Sequence, residues 1–212
     1  MIYVIYTNYF NFQFFFYQIY LFFNFIIPTF AVQTKTIKTI ITMRVDFKKV
    51  GIIKIHNADG QVMVSDPCFD SLSFASTIVS GLMDGTYNCI IGVANLEGWG
   101  KRVTKLIIVH EDKTIMDLVN PIHHAVVGVD SGTMCISDID YYDRYHTGEV
   151  KNKEKEDDWY NKYVCGMTKF SHTVRNKCVI SRSGIGDGGY NVNRYENEYN
   201  EVFGVDVTFI EY

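Results

Sequence analysis

The sequence predicts an all-β domain, an internally duplicated β-sandwich or barrel of about eight strands with one helical insertion. Three observations carry this expectation. From residue 51 onward apolar residues recur with period two, and Gly, Asp and Asn clusters interrupt the runs at short intervals. The phrase "SGLMDGTYNC" at 80 to 89 also returns as "SGIGDGGYNV" at 183 to 192, identical at Ser, Gly, Asp, Gly, Tyr and Asn.

The 212 residues suit one domain, and 47% hydrophobic against 21% charged residues describes a chain able to bury a core rather than a disordered one. Residues 1 to 42 differ from the rest, because no Lys, Arg, Asp or Glu occurs before Lys35 and the first stretch is almost wholly Phe, Tyr, Ile and Asn. A secretory signal would want a positive n-region, which is missing. A membrane anchor is long enough, yet Asn8, Asn11, Gln13, Gln18 and Asn24 would carry amides into hydrocarbon. The composition is also what AT-rich upstream DNA spells, so the segment is expected to be non-native and Met43 to begin the product, with an anchor as the alternative. The basic residues Lys35, Lys38, Arg44, Lys48 and Lys49 follow the segment, so both readings place residues 43 to 212 in the cytoplasm.

Taken in order, "GIIKIHNADGQVMVSD" reads as a hairpin about Asp59-Gly60, and "DSLSFASTIV" (70 to 79) as a short helix or irregular crossover. "TYNCIIGVANLEGWGKRVTKLIIVH" is a second hairpin about Asn95 to Gly98, followed by the connector "EDKTIMDLVNP". "HAVVGVDSGTMCISD" reads as a third hairpin about Asp130-Ser131-Gly132. Within an insertion at about 144 to 172, Trp159, Tyr160, Tyr163, Val164 and Met167 share the spacing of one helix face. The C-terminus is the fourth hairpin, with Phe203, Val205, Val207 and Phe209 alternating.

The repeat extends beyond the decapeptide. "GQVMVSDPCFD" (60 to 70) lies over "GTMCISDIDYYD" (132 to 143), and the change of offset from 72 to 103 residues is about the size of the insertion. The units are therefore about 50 to 112 and 122 to 212, related by a pseudo-twofold. "VSDPCF", "GVDSGTMCISD" and "SGIGDGGYNV" resemble the motifs of domain-of-unknown-function family 4241, whose members occur in bacteria and phages. The resemblance spans residue 50 to the C-terminus and departs at Asn191, where relatives would carry Pro or a small turn residue. It implies an origin and a fold, not a mechanism.

Five cysteines without a CxxC pair fit neither a disulfide framework nor a zinc ribbon, and reduced, mostly buried thiols are expected. A net charge of −4 without a long basic run speaks against non-specific nucleic-acid binding. Asp66 and Asp138 occupy equivalent repeat positions, as do Asp84 and Asp187, and are candidate acids, although Asp before Pro or Gly commonly forms turns. Tyr87 and Tyr190 could stack on a base or sugar, although a Tyr that opens a strand is more often half-buried packing. Trp99 with Lys101 and Arg102 sets an aromatic beside cations suited to a phosphorylated ligand. Cys68 and the pair His123-His124 lack an orienting third residue, Ser131 lacks a nucleophile elbow, and no GK[ST] follows the glycines at 184 to 189.

The reading is a cytoplasmic binding module, a phage or mobile-element accessory factor, without cofactor or metal. A small nucleotide-like ligand or a protein would be held by Tyr87, Trp99, Arg102, Asp130, Asp187 and Tyr190. A hydrolase using Asp66 and Asp138, with or without a divalent ion, is the alternative, and a structural subunit, compatible with a homo-oligomer, the second.

Overall fold

The computed structural model describes residues 43–69, 74–146, 161–165 and 167–211, with backbone alone for 143–146. The expectations for residues 1 to 42, for Trp159 and for Tyr160 lie outside these residues. The chain forms β1 (Val45–Ile55), β2 (Val62–Ser65), β3 (Ser76–Val79), β4 (Gly85–Leu96), β5 (Gly100–His110), β6 (Ile122–Val129), β7 (Thr133–Asp138), α1 (Ile139–His146), β8 (Ser171–Val174), β9 (Cys178–Arg182), β10 (Gly188–Glu196) and β11 (Val202–Thr208). Two antiparallel sheets, ordered β1-β4-β5-β11-β10-β6 and β3-β2-β7-β9-β8, make an all-β sandwich. Tyr87, Cys89 and Ile91 of β4 and Val205 and Val207 of β11 meet Val64, Val79, Ile136 and Val179 of the second sheet in one core.

The duplication is written in the strand order. With β1, β4 and β5 equivalent to β6, β10 and β11, the six-stranded sheet reads the same from either edge. The second sheet does likewise for β2 with β7 and β3 with β9, and β8 is left over from the insertion. Register sharpens the match: Ile107 faces Asp206 and Val64 faces Ile136, each pair self-equivalent, so the pseudo-twofold runs through both. The bulges are duplicated too. The β4–β5 ladder skips Thr104 and the β10–β11 ladder skips Phe203, while β1 and β6 skip Val50 and His124.

Several expectations need correction. Eleven strands form among the described residues rather than about eight. The turns at Asp59-Gly60 and Asp130-Gly132 close no hairpin, since β1 and β6 belong to one sheet and β2 and β7 to the other. Period two shows that a run is extended, and says nothing about which sheet it joins. Residues 76 to 79 form β3 instead of a short helix or irregular crossover, because β2 offers them a full antiparallel ladder. The insertion begins at α1 and includes a π-helical turn at Asn161–Cys165, and its last residues are extended as β8 against β9. Val164 and Met167, as expected of an aromatic and apolar face, pack on the outside of the second sheet with Cys135, Cys178 and Ile180. The bulge at Phe203 moves that ring off the alternation of Val205 and Val207 and into an outer cluster with Val109 and Tyr195. Among the described residues no helix is long and apolar enough to cross a membrane.

Candidate functional site

Each turn that crosses from the six-stranded to the five-stranded sheet is gripped by the carboxylate of the opposite repeat. Asp66, fully buried, accepts from the backbone N–H groups of Cys68 (2.8 Å), Asp130 (2.7 Å) and Ser131 (2.8 Å). Asp138, its equivalent, accepts from Asn57 Nδ2 (3.4 Å) in the other crossing turn, from Lys177 Nζ (3.2 Å) and from the Tyr141 N–H (3.3 Å). Val62 pairs with Asp138, and Asp66 lies four residues further along the same ladder. At roughly 3.3 Å per residue the Cα positions of the two aspartates stand about 13 Å apart along the strands. Paired carboxylates that work on one glycosidic bond stand about 5 to 9.5 Å apart, whereas these two are each committed to a different turn. Both residues are turn anchors.

Tyr87 and Tyr190 are core residues rather than stacking platforms. Tyr87 packs edge-on against His110 and Tyr190 edge-on against Phe209, again equivalent neighbours. Burial pushes both phenols above their ordinary pKa of 10.0. Asp84 and Asp187 are exposed, and because β4 and β10 run in opposite directions they sit at opposite ends of the sheet and do not face each other. Asp84 meets His56 Nδ1 at 2.9 Å. Trp99 is exposed at the tip of the β4–β5 hairpin, and Asp130 is exposed beside the turn that its own N–H anchors to Asp66. The cysteines form no disulfide, and Cys89, Cys135 and Cys178 are buried while Cys68 and Cys165 are exposed. Among the described residues no His, Cys, Asp and Glu group of three or more is arranged to hold a metal.

The repeated decapeptide behaves differently in its two copies. In the first, Val202 N–H donates to Gly81 O (2.8 Å) and Met83 N–H donates to Val202 O (3.0 Å), so Leu82 is drawn in to 5% exposure. The Tyr87 hydroxyl reinforces this clasp, reaching both Met83 O (2.9 Å) and Val202 O (3.1 Å). In the second copy the equivalents are Gly184, Ile185, Gly186 and, on β5, Val103. Among the described residues the corresponding clasp bonds are not formed. Gly186 N–H donates to Ser183 O (2.9 Å) instead, and the Tyr190 hydroxyl bonds Gly186 O (2.6 Å) and Ser183 O (2.9 Å) inside its own turn. Ile185 is left 57% exposed.

A cavity of about 950 Å³ opens where the second clasp would have closed. Val50, Ile91 and Val103 form its apolar inner wall, Ser131 to Thr133 and Gly184 to Gly186 come from the two turns, and Val164, Cys165 and Met167 to Ser171 line it from the insertion. Arg102, Lys169 and Arg182 also line it. Of the residues singled out from sequence, Arg102 is on the wall, while Asp130 and Asp187 adjoin wall residues Ser131 and Gly186. Lys169, Ser171 and Arg182 carried no sequence signal, since they reach the site through β8 and β9, a hairpin that alternation alone did not reveal.

Tyr87→Phe removes the hydroxyl that serves two carbonyls of the intact clasp, and is expected to cost about 1 to 2 kcal/mol in urea unfolding without altering the distant cavity. A variant as stable as the parent would show that the clasp holds without it. No protein-family model, curated protein or solved structure matches this chain.

Proposed function

We propose that the protein is a binding module that holds a small molecule in the cavity beneath the Gly184 to Gly186 turn. The observation that carries this reading is the broken symmetry: two turns of nearly the same sequence are built, one is clasped, and the other stands off β5 over a space of about 950 Å³. Small-molecule sites run from about 300 to 1,000 Å³, and this one joins an apolar side of Val50, Ile91 and Val103 to polar groups from Ser131, Thr133, Ser171 and the cations Arg102, Lys169 and Arg182. The buried Asp66 and the crossing turn it holds keep one side of the cavity rigid, while Gly186, with φ of 118°, makes the other side a backbone that few residues can replace. The two buried aspartates are committed to different turns, their Cα positions about 13 Å apart along the strands, which favours binding over hydrolysis by that pair.

The test is a thermal-shift screen of the full-length chain against small molecules that includes mono-, di- and cyclic nucleotides. A ligand at a hundred times its Kd contributes about 2.7 kcal/mol, or roughly 5 to 10 °C for a domain of this size. Ile185→Trp, which fills the cavity mouth from an exposed position, is expected to abolish the shift. A hit that binds this variant as tightly as the parent would overturn the cavity as the site, as would a screen without any hit.

A further inference from the structure

Resting on that reading, we infer that the ligand is a phosphate monoester with an apolar body, its phosphate held by Arg102, Arg182 and Lys169 and its body against Ile91 and Val103. The charges come from three separate segments, β5, β9 and the approach to β8, and all three line the cavity. Both guanidinium groups are oriented by neutral acceptors. Arg102 Nη1 donates to Lys101 O at 2.9 Å, and Arg182 Nη2 donates to Met167 O at 3.1 Å. Neither is neutralised by a carboxylate among the described residues, in contrast with Arg44, Lys105, Lys177 and Arg194, which are all in ion pairs. A guanidinium offers five N–H donors, so most of each fork is left to a ligand.

An independent observation points to the same chemistry. Ser171 is 6% exposed, lies on the cavity wall, and its hydroxyl has no hydrogen-bond partner. Leaving a buried hydroxyl unmatched costs free energy, which a bound acceptor would recover if a small shift of β8 brought the Ser171 hydroxyl within reach. A carboxylate is satisfied by one bidentate arginine, whereas a phosphate brings three terminal oxygens and a charge near −2, which matches several cations and a hydroxyl donor together. Ile91 and Val103 belong to the inner face of the sandwich, so the ester's body would extend the core where the missing clasp left it open.

Isothermal titration of the full-length chain with decyl phosphate, adenosine monophosphate, decanoate and inorganic phosphate tests this. At least one ester is expected to bind, at least tenfold tighter than decanoate and than inorganic phosphate, and the two esters report whether the body is aliphatic or a nucleoside. Arg102→Ala and Arg182→Ala should each weaken the bound ester tenfold or more and flatten its salt dependence. Ser171→Ala should weaken it about threefold, and Arg182→Lys should recover part of the loss. Unfolding midpoints check that each variant is folded, and the conservative Arg182→Lys keeps the comparison valid if an alanine variant is not. Decanoate binding as tightly as the esters, or an ester indifferent to both arginines, would overturn the phosphate assignment. If such a ligand is still excluded by Ile185→Trp, the cavity stands as the site and the phosphate alone falls. If none of the probes binds, the phosphate assignment falls and the wider screen decides the cavity.

Discussion

Gly60→Ala is expected to destabilise the protein by about 3 to 5 kcal/mol, while Gly132→Ala, the same change at the equivalent turn, costs about 1 kcal/mol. Both glycines have left-handed backbone, with φ of 54° and 68°, so both replacements carry the ordinary penalty of an L residue there. The difference lies in what a new methyl would meet. At Gly60 it would stand 2.1 Å from Leu82 O and 2.8 Å from Leu82 N, backbone atoms fixed by the clasp onto Val202. At Gly132 the nearest heavy atom is Gly186 Cα at 4.0 Å, across the unclasped turn. Urea unfolding of the two variants measures the contrast, with m values checked for constancy. Equal costs would mean that the second turn closes in solution as the first does, and would remove the argument for an open cavity.

Asp66→Ala should be nearly as damaging, at about 3 to 5 kcal/mol, because three backbone N–H groups lose a charged acceptor inside the protein. Asp66→Asn is no rescue. One of its two sites becomes an NH2 that must face either the Cys68 N–H or the paired N–H groups of Asp130 and Ser131. Asp138→Ala is expected to cost about half as much, since its bonds, at 3.2 to 3.4 Å, are longer and involve Lys177, whose side chain is 35% exposed and keeps water as a partner. Denaturant titrations of the three variants decide this. If Asp66→Ala were as stable as the parent, the anchoring role assigned to that carboxylate would be wrong.

What the sequence revealed follows from how local each contact is. The β4–β5 and β10–β11 hairpins were legible because their partners are chain neighbours joined by short turns. The crossings after β1 and β6 were not, since an extended run looks alike whether it turns back on itself or passes to a second sheet. One sign was available: VMVS and TMCISD are buried along their whole length, and neither alternates as a strand with one wet face would. The decapeptide disclosed the duplication and concealed the site. Both copies carry the same turn signature, and the difference between Leu82 and Ile185 shows only when the strand each faces is known.

The pseudo-twofold has a consequence for how such a chain arises and folds. The two repeats join through strands that are their own equivalents, β5 beside β11 and β2 beside β7, so one repeat alone would expose a long edge in each sheet. Those edges are self-complementary in register, the property that defines an isologous dimer interface. A polypeptide of one repeat would therefore find its missing half in a second copy of itself. Within a single chain the two halves need not stay identical, and here one turn is shut while its twin stands ajar.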